Sequence, residues 1–211
     1  PLLVNSNSEL YEQFAYVLGR RDAPSSDFLE GMGASSRATH FKNKPQEIKQ
    51  NNKSAPSLGG HHHSLDTRQV KTKVVLEFTP ALDDHPYVAQ ILLDRARALS
   101  RDPSRESVVL VSHGPYTDAM EIPWMQMAAS VAKQVGELGG FVEVRAFNLR
   151  DDSPKAVKAV KEKELRAYVG GQTKLGRQVI VLAHLVAMNG IEKHIAKSLS
   201  GLFYKMSREA L

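Results

Sequence analysis

The chain has no cysteine among its 211 residues, which excludes disulfide bonds, cysteine-ligated zinc and thiol chemistry. It also has no apolar run of the roughly 18 residues that a membrane span needs. It begins at Pro1 rather than at methionine, without a signal-peptide pattern, and Pro1-Leu2-Leu3-Val4 is typical of the end of a strand. We expect a piece of a longer protein, located in the cytoplasm, with export or a periplasmic location as the alternative.

The composition is that of a globular protein with a modest positive charge. Hydrophobic residues make up 42% of the chain, enough for a normal core, and the net charge is +5. That charge suits an acidic small ligand, a nucleic acid or an anionic membrane, and selects none of them. Without cysteine, a metal ligand has to be His, Asp, Glu or water, a set that suits divalent cobalt, nickel, iron or zinc.

Residues 22–70 interrupt the chain with a segment rich in Ser, Asn, Lys, Gly and Pro, which predicts a mobile insertion or linker. The segment contains His61-His62-His63, which is either a flexible metal-collecting element or the remnant of a purification tag. Its lysines raise the alternative of nucleic-acid binding. They lack interleaved aromatic residues apart from Phe41, so we predict no nucleic-acid partner.

Strands and helices alternate along the rest of the chain, which predicts a parallel sheet built from right-handed βαβ units. An early helix, Glu9 to Leu18, follows the strand end at Pro1–Val4. After the insertion we predict a strand at Val74–Phe78 and a helix at Tyr87–Leu99. The remaining predicted strands are 108–112, 141–148 and 178–183, the helices are 118–138, 154–169 and 191–200, and a short strand starts at Phe203. Ligands of such sheets lie in the loops after the carboxyl ends of the strands.

Three motifs and a weak repeat fall at strand ends and helix starts. The motifs are Ser112-His113-Gly114 after an apolar strand, Thr79-Pro-Ala-Leu-Asp-Asp-His-Pro86 before a helix, and Asn189-Gly190-Ile191-Glu192 after the last long strand. The repeat aligns Leu3-Val4 with Leu185-Val186 and puts Asn7 on Asn189 and Gly19 on Gly201. Together they resemble the sirohydrochlorin cobaltochelatase/ferrochelatase family, most closely its long, two-half CbiX-type members.

The resemblance implies a class II chelatase fold, with two similar α/β halves facing each other across a cleft. Residues 1–100 would be the remainder of an incomplete first half, carrying the insertion at 22–70, and 101–211 the second half. Members of the family insert a divalent metal into a tetrapyrrole without ATP. The expected substrates are therefore cobalt or iron, with nickel or zinc as alternatives, and a sirohydrochlorin-type tetrapyrrole. No nucleotide is expected, and the sequence leaves a homodimer open.

His113 is the first candidate for metal binding and proton transfer, because neutral imidazole can do both and Gly114 permits close backbone approach. The alternative is a histidine that only caps a strand. Glu192 is a candidate second metal ligand or proton relay, or an ordinary acidic residue in a first helical turn. His184 is a third metal ligand, or a core histidine.

The remaining candidates would hold the tetrapyrrole or the metal from further away. Basic residues at strand or helix ends would bind peripheral carboxylates, and aromatic residues would stack on the macrocycle; these are Arg145, Arg150, Lys155, Arg177, Tyr116 and Trp124. His85 is expected to be structural and His194 to be a surface residue. Asn7 stands where the family commonly has a histidine, and Ala183-His184 departs from its usual Pro-apolar pair. These departures favour a rival reading, a non-catalytic metal- or tetrapyrrole-binding protein on the same fold.

Overall fold

The computed structural model describes residues 3–26, 29, 69–187 and 190–211. Within these ranges lie five α-helices, one short 3-10 helix at Pro103–Arg105 and four strands. In chain order they are α1 Glu9–Val17, α2 Pro86–Leu99, β1 Glu106–Ser112, α3 Asp118–Gly139, β2 Glu143–Asn148, α4 Lys155–Lys174, β3 Gln178–Ala183, α5 Ile191–Ser198 and β4 Lys205–Met206.

The four strands form one parallel sheet with the order β2-β1-β3-β4. The chain passes from β1 to β2 on one side, crosses back over β1 to β3 on the other side, and continues outward to β4. Right-handed crossovers in opposite directions place their helices on opposite faces of the sheet. The reversal falls between β1 and β3, and ligands of open parallel sheets bind at such a switch point, outside the carboxyl ends of the strands.

Alternating side chains of the central strands divide the core into two layers. Val108 and Leu110 of β1 pack against α2 and α3, whereas Val109 and Val111 pack against α4 and α5. All seven residues of β1 are buried, because the strand is covered on both faces. The sheet therefore holds the loops at its carboxyl edge on a rigid base.

The prediction of an α/β protein with a parallel sheet is confirmed, and β3 has the predicted bounds 178–183. The predicted helix at Tyr87–Leu99 is confirmed as α2, which begins one residue earlier at Pro86. The predicted end of α4 at residue 169 is wrong, because the helix continues through Gly170 and Gly171 to Lys174. Burial of Val169 and Gln172 against the sheet accompanies this extension and offsets the weak helix propensity of glycine.

The predicted strand at Val74–Phe78 is wrong. Val74 and Val75 are 68% and 87% exposed, and the segment belongs to no strand. β-branched residues favour strands when a neighbouring strand and a core are there to pack against, and these valines have neither. Leu3 and Val4 are also outside any strand, although their carbonyl oxygens accept hydrogen bonds from the amides of Leu82 and Asp83.

The first segment of the chain, residues 3–19, is attached to the residues that precede α2. Ser6 donates to the carboxylate of Asp83 at 2.7 Å, and the ring of Tyr11 lies 4.8 Å from that of Phe78. Most of the predicted insertion at 22–70, including His61, His62 and His63, lies outside the described residues. Across the ranges described, no helix is both long and apolar enough to cross a membrane.

Helix α2 belongs to the same core as the sheet, so we expect Leu92→Ala to lower the free energy of unfolding by about 2–5 kcal/mol. Leu92 is 1% exposed and packs in the layer shared with α3. Leu138→Ala is the matched control, because Leu138 is 56% exposed and should cost about 0.5 kcal/mol or less. Urea denaturation followed by circular dichroism measures both. Equal losses would contradict this placement of α2.

Candidate functional site

His113 lies directly after β1, at the switch point of the sheet, with its side chain 46% exposed. Its Nδ1 is 3.2 Å from Oδ2 of Asp151, which lies in the loop after β2. Its Nε2 makes no hydrogen bond to the residues the structure describes. A histidine held at one ring nitrogen by a carboxylate and open at the other is the usual arrangement of a metal-binding imidazole.

Asp151 also meets a second histidine, which comes from α5. Nδ1 of His194 is 2.5 Å from Oδ1 of Asp151, an ion-pair contact that is not aligned as a hydrogen bond. Its Nε2 is 2.6 Å from Oε1 of Glu162 on α4. Four side chains therefore form one row, from half-exposed His113 through Asp151 and His194 to Glu162. We call these four residues the His–Asp–His row.

The prediction that His194 is a simple surface residue is wrong, because its side chain is only 24% exposed and is held between two carboxylates. Asp151 and Glu162 were not predicted at all. Asp151 carried a signal, an acidic residue just after a strand at the edge where ligands bind. Glu162 and His194 carried none, because only the packing of α5 on α4 brings them together.

The loops after β1 and β2 run side by side past the ends of the strands. The amide of Leu149 donates to the carbonyl of Ser112 at 3.0 Å, and that of Arg150 to the carbonyl of His113 at 2.5 Å. This pairing puts Asp151 next to His113. The close approach needs Gly114, which has φ +83°, and a Cβ there would lie 2.8 Å from Cβ and Cγ of Asn148.

Arg150 fastens the two loops together. Its guanidinium is 4% exposed and donates to the carbonyls of Pro115 and Tyr116. It also donates to Ser153 Oγ at 3.1 Å and to Asp118 at 2.5 Å, and this contact lowers the pKa of the Asp118 carboxyl. The predicted role of Arg150 was to bind tetrapyrrole carboxylates, but the structure places its donors on the protein's own loops.

His184 lies on the other face of the sheet from the row. Ile180 and Leu182 face α2 and α3, and the alternation along β3 places His184 on that face, whereas Asp151 and His194 lie with α4 and α5. Its ring is 1% exposed, and neither nitrogen has a partner among the described residues. Burial lowers the pKa of His184 to about 4, so the ring is neutral at neutral pH.

The structure does not bring Glu192 to His113. Oε2 of Glu192 accepts from the amide of Gly190 at 2.9 Å, at the start of its own helix, and no contact links it to the row within the described ranges. Asn189 lies outside those ranges. Tyr116 takes part through its backbone, whose amide donates to Glu9 Oε1 at 2.7 Å.

The other predicted binding residues lie in ordinary structural contacts. The guanidinium of Arg145 lies 5.4 Å and 5.2 Å from the ring centroids of Phe147 and Tyr168, on edge strand β2. Arg177 lies 3.8 Å from Glu143, and Trp124 is buried and donates to Ser112 Oγ at 3.1 Å. Lys155 is exposed at the first residue of α4, near the carboxyl edge.

His85 caps α2, as expected for a structural residue, because its Nδ1 accepts from the amide of Tyr87. In the part of the chain that the structure describes, no three His, Asp or Glu side chains are arranged to hold a metal ion together.

We expect Gly114→Ala to lower the free energy of unfolding by about 2 kcal/mol or more, because it adds a steric clash to an unfavourable positive φ. Gly176→Ala is the matched control: Gly176 has φ +74°, but nothing lies within 4 Å of its added Cβ. The free energy of unfolding of the control should fall by about 1 kcal/mol, because of the backbone conformation alone. Denaturant unfolding measures the free energy of unfolding of both variants. Equal losses would show that the loop after β2 moves aside for the added Cβ.

From the burial of His184 we predict that the free energy of unfolding falls in mild acid. Its pKa is about 4 when folded and 6.5 in the reference state, so between these pH values the unfolded chain binds the proton more readily. The contribution of His184 to the free energy of unfolding is therefore largest above pH 6.5 and declines by roughly 3 kcal/mol as the pH falls toward 4. His184→Leu should remove this part of the slope when the free energy of unfolding is measured against pH. An unchanged slope would contradict the assignment.

No known protein family, curated protein or solved structure matches the chain.

Proposed function

We propose that this protein is a metal chelatase, which inserts divalent cobalt or iron into a sirohydrochlorin-type tetrapyrrole without ATP. The observation that carries the proposal is the His–Asp–His row at the switch point of the sheet. The resemblance of Ser112-His113-Gly114 and its companion motifs to the chelatase family supplies the reaction. The row supplies groups suited to its two requirements, a displaceable metal ligand and acceptors for protons.

His113 would hold the metal through Nε2. Asp151 at Nδ1 fixes the orientation of the ring and increases the basicity of the nitrogen that faces the metal. A single imidazole leaves most of the coordination sphere to water, so pyrrole nitrogens can replace those ligands one after another. The half-exposed ring is accessible to a substrate as large as a macrocycle.

Insertion of a divalent metal releases two protons from the pyrrole nitrogens, and these protons need acceptors close to the reaction. Asp151 is the carboxylate nearest to His113, and its second oxygen contacts His194. Glu162, at the far end of the row, has a side chain that is 37% exposed and borders solvent. The row thus runs from the proposed metal ligand to a carboxylate that borders solvent.

The substrate also carries carboxylates that need cations. With Arg150 bonded to the loops, we assign this role to Lys155 and Lys193, two exposed residues that each lie in the first turn of a helix that follows a strand. The start of α1 reaches the loop after β1, so the first segment of the chain lies beside the proposed site.

The test is an absorption assay with the purified protein, sirohydrochlorin and Co²⁺, in which insertion changes the spectrum of the tetrapyrrole. We expect His113→Ala to lower kcat/KM about 10²-fold or more, because loss of the proposed metal ligand should cost more than the 10- to 100-fold typical of the group that orients it. Asp151→Asn should lower it about 10- to 100-fold, because the ring loses its orienting carboxylate. His85→Ala is the control, since this histidine caps α2 outside the row.

The same assay separates the proposal from its rival. Tetrapyrrole or metal binding by the wild-type protein, with no insertion above the uncatalysed rate, would favour a non-catalytic binding protein. Full activity of His113→Ala would show that the reaction takes place elsewhere.

A further inference from the structure

The loop that carries His113 is bonded to a residue from the far end of the sequence. Oε1 of Glu9, the first residue of α1, accepts from the amides of Tyr116 at 2.7 Å and Thr117 at 3.1 Å. These positions are 107 and 108 residues away in the chain. Hydrogen bonds to a charged acceptor are roughly twice as strong as neutral ones, so this contact is strong for its size.

Helix α3 does not cap itself at this point. Thr117 is the N-cap residue but makes no capping hydrogen bond, and its Oγ1 is buried without a partner among the described residues. Threonine at this position normally satisfies an amide of the first turn. The carboxylate of Glu9 instead satisfies the amides at and just before the cap, so the stability of this loop depends on a segment outside the βαβ units.

The loop is therefore held from two sides. Arg150 binds its carbonyls, at Pro115 and Tyr116, and comes from the neighbouring loop after β2. Glu9 binds its amides and comes from α1. Both groups of the Tyr116 backbone are engaged, three residues from His113, so the loop has little freedom to move its histidine away from Asp151.

We propose that Glu9 is a positioning residue, which fixes the 113–118 loop and so keeps the His113 imidazole at Asp151. Its importance for a reaction rests on the proposed function, but its effect on the loop does not. The first segment thereby becomes part of the site without touching a substrate. Removal of the Glu9 carboxylate should loosen the loop while the sheet remains intact.

The experiment measures amide hydrogen exchange by NMR on the ¹⁵N-labelled protein. In Glu9→Ala, exchange of the Tyr116 and Thr117 amides should be about tenfold faster or more, because both lose their acceptor. Glu9→Gln keeps an uncharged acceptor, so its Tyr116 and Thr117 amides should exchange at rates between those of the wild type and of Glu9→Ala. Glu12→Ala is the matched control on the same helix, because Glu12 pairs with Arg21 and not with the loop. Unchanged exchange of both amides in Glu9→Ala would overturn the proposal.

A second readout follows the imidazole itself. Broadening of the His113 ring signals by Co²⁺ should need at least a fewfold higher metal concentration in Glu9→Ala than in wild type or Glu12→Ala. If loop exchange and cobalt binding change while wild-type protein inserts no metal, the positioning role stands and the chelatase proposal fails. If wild type inserts metal and Glu9→Ala keeps its cobalt affinity and kcat, the chelatase proposal stands and the positioning role fails.

Discussion

The site depends on one buried cation, the guanidinium of Arg150. This group bonds the loop after β1 to the loop after β2, at a point where the backbone of Arg150 itself has φ +49°. Without it, the carbonyls of Pro115 and Tyr116 would keep only the hydroxyl of Ser153 as a donor, and the contact between the loops would weaken. His113 and Asp151 sit on these two loops, so their contact follows from this fastening. The arginine was predicted to bind a ligand, and its placement indicates that it builds the site instead.

The architecture was predictable because local sequence patterns indicate its strands and helices. Apolar runs such as Val179–Leu182 indicated strands covered on both faces, and helix-length segments between them indicated parallel crossovers. Those features depend on neighbours within about 20 residues. Val74–Phe78 has the same local pattern but no partner strand, and there the local rule failed, since the preference of valine for strands is largely a preference for being packed.

The site was predictable only in part, for a related reason. His113 could be found because it follows a strand and precedes a glycine that the close approach to Asn148 requires. Its partners were harder to find: Asp151 lies 38 residues further on and is marked only by its place after a strand, and His194 lies 81 residues further on with no local signal. His184 looked equally suitable in the sequence. Side chains alternate between the two faces of the sheet along β3, and this alternation places His184 on the face of α2 and α3. A fully buried imidazole on that face cannot join the row.

The His–Asp–His row also has a consequence for the order of events during folding. Its members come from the loop after β1, the loop after β2, and helices α4 and α5, so it closes only when both crossovers are complete. Contacts of such long sequence separation form late, because the chain entropy of the intervening residues must be overcome first. A nascent chain that has not yet docked α5 has His113 but neither His194 nor its link to Glu162. The complete row would therefore form in one step, with the docking of α5, and a chain without that helix would present only the pair His113 and Asp151.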